Sequence, residues 1–261
     1  MVKSGSRQRQ MADVDHVRAE TGRADDRFFR RTAAIAAVLS VFLAAGNLLT
    51  MLLAVRFDLD AVSNPLLLLR SGAAGAKLWR WSMILDLFGY YLLIIPLILY
   101  LRGTLRVKSP YWVDLCAYCL LAYCLIGALG AAILAMSTPP LIEAYVNAVP
   151  RQREILEPLA NSYADIVYKA MWNLLAELFA ATGWIGFGVL LRGEHRALGT
   201  MTFALGVACL VDAVGTIFQW QLFSVTALSI YLLLAPLWAL CVGLRLLRAP
   251  LQIKTASSGR T

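Results

Sequence analysis

The sequence predicts an all-α, polytopic membrane protein with six transmembrane helices, and three observations predict it. Hydrophobic residues make up 60% of the 261 residues and charged residues 15%, with a mean hydropathy of +0.67. A soluble domain carries about 25% charged residues, so this chain lacks the polar surface to cover a globule in water. The apolar residues also gather in six blocks, each near or above the ~20 residues that a helix needs to cross a bilayer. Finally, Lys and Arg collect on alternate links between those blocks. The net charge of +8 therefore calls for no nucleic-acid partner; it reflects the bias of membrane proteins toward one basic face.

The six expected spans are 32–55, 81–101, 111–136, 167–191, 198–219 and 224–247. They are helices because no water is present at that depth to satisfy backbone N–H and C=O groups. The basic tail 1–31 precedes them, polar and charged until Phe28 and Phe29, and reads as disordered or weakly helical. The first span is too long for a signal-peptide core and its exit "LLAVRFDLD" has no small-residue cleavage pattern, so it reads as an uncleaved anchor. The C-terminal tail 249–261 frays after Pro250.

Charge sets the orientation. The N-terminal tail, the links after spans two and four, and the C-terminus together carry seventeen Lys and Arg; the other side carries seven. The positive-inside rule then places both termini in the cytoplasm. Trp79, Trp81, Trp172 and Trp220 all fall at the outer ends of spans, where amphipathic rings anchor. The two outer links are long. In residues 56–80 Asn64 caps a helix and Pro65 suits its first turn; in 137–166 Thr138 is the expected cap, and a second segment follows Pro150. Both links read as short helices at the outer surface.

Two stretches match position by position: "WSMILDLF" from Trp81 to Phe88, and "WNLLAELF" from Trp172 to Phe179. Each enters from outside, runs inward and ends in Leu-Arg-Gly, at 101–103 and 191–193. The hairpins 81–136 and 167–219 are candidate duplicates, and transporters place their sites where such repeats meet. The small alphabet of membrane helices offers a rival explanation. Five residues of helix rise roughly 7.5 Å, so Asp86 and Glu177 lie within the outer leaflet. Asp212 and Asn47 reach a similar depth, and Asn173 shares a helix face with Glu177, as Ser82 does with Asp86. Tyr90 and Tyr91 stand near Asp86.

A charge at the bilayer centre costs about 2.5–3.5 kcal/mol on insertion scales, and no Lys or Arg lies in that layer. Asp86, Glu177, Asp212, Asn47, Asn173 and Tyr90 are thus the candidate ligand-binding residues, for a small molecule, a lipid or a cation entering an outward-facing polar pocket. Two other readings stand beside this one: hydrogen-bonding glue in a scaffold or complex subunit, and paired general acid and base in a membrane-embedded enzyme. Asp114, beside Arg106 and Lys108 at the cytoplasmic end, reads as an interfacial ion pair or a helix-start charge.

Other chemistry finds no support. His16 and His195 both lie outside the spans, and no H-E-x-x-H, Walker A or G-x-S-x-G occurs. The sequence therefore implies no cofactor, no metal and no catalytic residue. The five Cys are an odd number in apolar runs, and Cys116-x-x-Cys119 lies mid-helix, so they read as packing residues. Gly183, Gly186 and Gly188 read as a close helix-packing surface, and Pro96 and Pro236 as kinks in spans two and six. The segments "LDLFGYYLLIIPLILYLRGTLR" and "GWIGFGVLLRGEHRALGTMTFALGVACLVDAVG" resemble a family of bacterial six-helix membrane proteins of unknown function. The resemblance covers roughly residues 32–245, rests on architecture, and implies the inner (plasma) membrane of a bacterial cell. It departs at "RGEHRALG", where a Pro is expected in the short turn, and it transfers no activity.

Overall fold

The computed structural model describes residues 4–58 and 64–251, with side chains from residue 26 onward. Among these, six helical segments are long and apolar enough to cross a membrane: Asp26–Ala54, Gly72–Leu105, Pro110–Asn147, Pro150–Arg192, Arg196–Ile217 and Gln221–Arg248, spans one to six. The chain is an all-α, multi-pass membrane protein.

Helix α1, Ser4–Ala54, carries span one. The tail expected to be disordered or weakly helical is continuous with it from Ser4 onward. Asn64 caps α2, Pro65–Leu69, by accepting from the Leu66 amide at 3.0 Å, as the Asn-Pro pair predicts. Gly72, at φ 77°, turns the chain into α3, Gly72–Asp86. Span two thus starts well before the expected residue 81. A π-helical turn, Leu87–Tyr91, and a 3-10 turn, Leu92–Ile94, then lead into α4, Ile95–Leu105. Pro96 sits in the first turn of α4, where its missing N–H is tolerated. The departure from regular α-helix lies just before it, in the π and 3-10 turns.

The second outer link is not a separate short helix. Helix α5, Pro110–Asn147, runs straight through Pro139 and Pro140, so Thr138 is a buried mid-helix residue and caps nothing. Helix α6, Pro150–Ala164, continues through a π-helical stretch, Asp165–Ala176, into α7, Glu177–Arg192. At 1.5 Å per residue the 38 residues of span three and the 43 of span four reach about 57 and 64 Å, against a hydrocarbon core of about 30 Å. Both helices therefore project past the bilayer. The C-terminal half of span three and the N-terminal half of span four pack with α2 and the start of α3 into a cap with its own apolar core of Leu68, Leu69, Trp79, Leu134, Ile142 and Val167. Trp79, expected at the lipid interface, is 1% exposed in that core. Trp81 and Trp220 are exposed, as anchors are.

Helices α8, Arg196–Ile217, and α9, Gln221–Arg248, complete the bundle. Each span packs on its chain neighbours, and span six closes on span one. The result is a ring of six helices in sequence order. Phe42, Leu125 and Leu233 point outward, as a lipid-facing surface requires. Aromatic rings fill the middle: Tyr91 on Tyr123 at 5.4 Å, Tyr123 on Tyr231 at 6.3 Å and Trp184 on Trp238 at 4.7 Å between centroids. The glycine surface of span four is where the sequence puts it. A Cβ on Gly188 would lie 2.5 Å from the Phe203 amide nitrogen, and one on Gly206 2.5 Å from that of Ile185. Spans four and five thus meet backbone to backbone.

Candidate functional site

All three membrane carboxylates face the interior. Asp86 is 7% exposed, Glu177 5% and Asp212 1%. Asp86 is the last residue of α3 and Glu177 the first of α7, so each stands where α-helix meets π-helix. Such junctions turn the helix face and are frequent at functional sites.

Each acid is held by a neighbouring helix through one oxygen. Asn47 of span one donates from Nδ2 to Asp86 Oδ1 at 3.0 Å. Ser82, one turn before Asp86, donates to Asn47 Oδ1 at 2.5 Å and lies 3.2 Å from the Asn47 carbonyl. Across the ring, Ser224 of span six donates to Asp212 Oδ1, and Thr216 lies 3.3 Å from Ser224. Glu177 meets the buried thiol of Cys209 on span five and lies within electrostatic reach of Asp212. The second oxygen of every one of the three, Asp86 Oδ2, Glu177 Oε2 and Asp212 Oδ2, is buried with no hydrogen-bond partner among the described residues.

The expected residues do not all converge. Asp86 with Asn47 forms one station and Glu177 with Asp212 another. Between them stand Tyr91, within electrostatic reach of both Asp86 and Glu177, and the hydroxyl pair Tyr123–Tyr231, 2.6 Å apart. Tyr90 is buried, but its hydroxyl donates to the Leu232 carbonyl at 3.2 Å, not to an acid. Asn173 is half-buried, and the π-helical stretch through Ala176 alters the α-helical register expected between it and Glu177. Sequence reading missed Cys209, Ser224, Tyr123 and Tyr231. Ser224 carries a signal, since it faces Asp212 across a short turn. The tyrosines come from spans three and six, and only closure of the ring brings them together.

The enclosure is tight. Two small cavities, each of about 20 Å³, lie in the bundle and the cap, and none of the three acids lines either. Among the described residues, no group of three His, Cys, Asp or Glu side chains is placed to hold a metal ion. All five cysteines are free; Cys116 packs against Gly186, as a small residue at a close helix contact does.

The repeated octet is only partly repeated in space. Both acids are buried, but Trp81 faces outward while Trp172 turns inward and donates to the Gly127 carbonyl at 3.2 Å. Along an α-helix five residues turn about 500°, leaving Trp81 and Asp86 about 140° apart. A π-helix stacks residue i over i+5, which brings Trp172 to the Glu177 side. The partners differ as well: Asp86 bonds outside its hairpin to span one, Glu177 within its hairpin to span five.

At the opposite end, Arg102 Nε lies 2.7 Å from Asp114 and Arg106 3.1 Å, the interfacial ion pair the sequence suggests. Lys108 crosses to Glu194 at 3.3 Å and to the Leu190 carbonyl at 3.0 Å, tying the two basic links together. Compared with family models, with curated proteins and with solved structures, the chain has no match.

Proposed function

We propose that this protein binds a small polar or cationic solute at its buried carboxylates and carries it across the membrane. The observation that supports this reading is the unpartnered second oxygen on each of Asp86, Glu177 and Asp212. A buried acceptor without a partner costs about 1–3 kcal/mol. Glue between helices needs no such cost, since Asn or Gln would bond as well and leave no latent charge. A carboxyl group, by contrast, holds a proton when the site is empty and exchanges it for a donor on the solute. Asn47 and Ser224 hold the acids in place, and Tyr91 lies between the two stations. The outward opening belongs to a second conformation, since the acids here are enclosed. Cytoplasmic termini, a bacterial inner membrane and kinship with the bacterial six-helix family are part of the same proposal, carried by the charge bias and the sequence resemblance.

The scaffold reading has one observation in its favour. Asn47–Asp86 and Ser224–Asp212 tie spans one to two and six to five, and interhelical bonds of this kind stabilise membrane bundles by about 0.6–2 kcal/mol. Proteoliposomes separate the readings. Wild type and the variant Asp86→Asn, Glu177→Gln, Asp212→Asn would be assayed for uptake of alkali cations, ammonium and small zwitterions, with a lumenal pH dye. Solute or proton flux in wild type that the variant loses, while it elutes as a folded species, is the expected result. Equal behaviour across the whole panel would leave the scaffold reading.

A further inference from the structure

Spans two and six both depart from regular α-helix, and the departures face each other. Span two has its π and 3-10 turns at Leu87–Ile94; span six has Pro236 inside α9. Proline has no N–H, so the carbonyl four residues earlier loses its helical partner. That carbonyl is Leu232, and the Tyr90 hydroxyl of the π turn donates to it. The bond thus joins the two weak points of the bundle to each other.

Between them lies the bundle cavity of about 20 Å³, lined among others by Gly89, Tyr90, Ile94, Trp184, Tyr231 and Pro236. This is room for about one water. Trp184 is 2% exposed, and its Nε1 is a buried donor with no partner among the described residues. Toward the acids the cavity is closed by Tyr231, paired with Tyr123. Toward the Asp114 end it is closed by Trp238, which packs edge-on against Trp184 and donates from Nε1 to Thr202 at 2.7 Å. The cavity therefore lies on the Asp114 side of the acid layer, flanked by two aromatic pairs.

We propose that the facing breaks of spans two and six form a hinge latched by the Tyr90–Leu232 hydrogen bond. The cavity between them is the closed passage from the acid layer toward the Asp114 end, and it holds one water beside Trp184. The inference rests on the transport reading for the purpose of the hinge, but its test needs no solute.

Hydrogen–deuterium exchange of the full chain in lipid nanodiscs would compare wild type, Tyr90→Phe, Pro236→Ala and the double variant. Tyr90→Phe keeps the ring and removes only the latch. Exchange in residues 87–95 and 229–240 should then rise about five- to tenfold, the loss of one neutral hydrogen bond, with the other spans unchanged. Pro236→Ala returns an N–H to Leu232, so Tyr90→Phe in that background should change exchange less than about twofold. An unchanged rate in Tyr90→Phe overturns the latch. So does the same rise in both backgrounds, or a uniform rise across all six spans. A second readout avoids Pro236→Ala altogether. With the five native cysteines replaced and Ala235→Cys introduced, a membrane-impermeant maleimide should react faster in Tyr90→Phe; equal rates overturn the proposal. Loss of flux in the carboxylate variants alongside unaltered exchange in Tyr90→Phe would keep the site and discard the latch.

Discussion

Asn47 holds two side chains at once, which makes its replacement the most informative stability test. Its Nδ2 supplies the hydrogen bond to Asp86 Oδ1, and its Oδ1 receives the Ser82 hydroxyl. Replacing it with Leu, of similar size, leaves Asp86 with both oxygens unpartnered, since Oδ2 has no partner already. Ser82 keeps the Asn47 backbone carbonyl at 3.2 Å, so the loss concentrates on the acid. Orphaning one buried polar group costs about 1–3 kcal/mol. Asp86→Leu in turn orphans the Asn47 amide and should cost a similar amount. The double variant removes both partners, so its cost should fall short of the sum by about 1–2 kcal/mol, the scale of interhelical coupling in membranes. Reversible unfolding in mixed micelles of rising SDS fraction gives all four corners of the cycle. Strict additivity would show that the 3.0 Å contact contributes nothing, and that Asn47 does not position Asp86.

At the glycine seam, Gly206→Leu should prevent spans four and five from docking, because even a Cβ would lie 2.5 Å from the Ile185 amide nitrogen; loss of the monodisperse peak on size exclusion checks it. Asp114→Asn removes ion pairs to two arginines that are 28% and 53% exposed, so it should cost less than about 1 kcal/mol, and less still at high salt; the same micelle titration measures this. For topology, cysteines placed at Val107 and Arg151 should label from opposite sides of the membrane, with Val107 reached only in permeabilised cells, and outside labelling of Val107 would reverse the orientation.

The architecture was legible because lipid allows so few alternatives. Runs of apolar residues must be helices, and Asn64-Pro65 at the start of α2 and Gly183, Gly186 and Gly188 of span four, packed against spans three and five, act through local geometry that sequence displays directly. Thr138-Pro139 misled because local rules start a new helix at a capping residue followed by Pro. Tertiary contact overrode them: the C-terminal half of α5 is packed by α2 and α6, and that packing keeps the helix running. Trp79 misled for the same reason. Its position in sequence is interfacial, but the projecting helices build a second apolar core around it.

The π-helical stretches account for what the repeat means and what it does not. No propensity scale places a π turn, and one such turn rotates everything after it relative to everything before. In span two the turn follows Asp86, so Trp81 and Asp86 keep α-helical spacing and face apart. In span four the stretch precedes Glu177, so Trp172 and Glu177 come round together and the Trp packs against Gly127 inside. Similar octets thus present their acids to the interior through different local geometry. Their partners differ accordingly, Asn47 on span one and Cys209 on span five. A duplicated binding site would have kept partner as well as position. What the two stretches share is a carboxylate at the point where the helix changes character, with one oxygen held and the other free. That shared feature is where the chemistry of the protein should be sought, at two linked stations rather than one symmetric pocket.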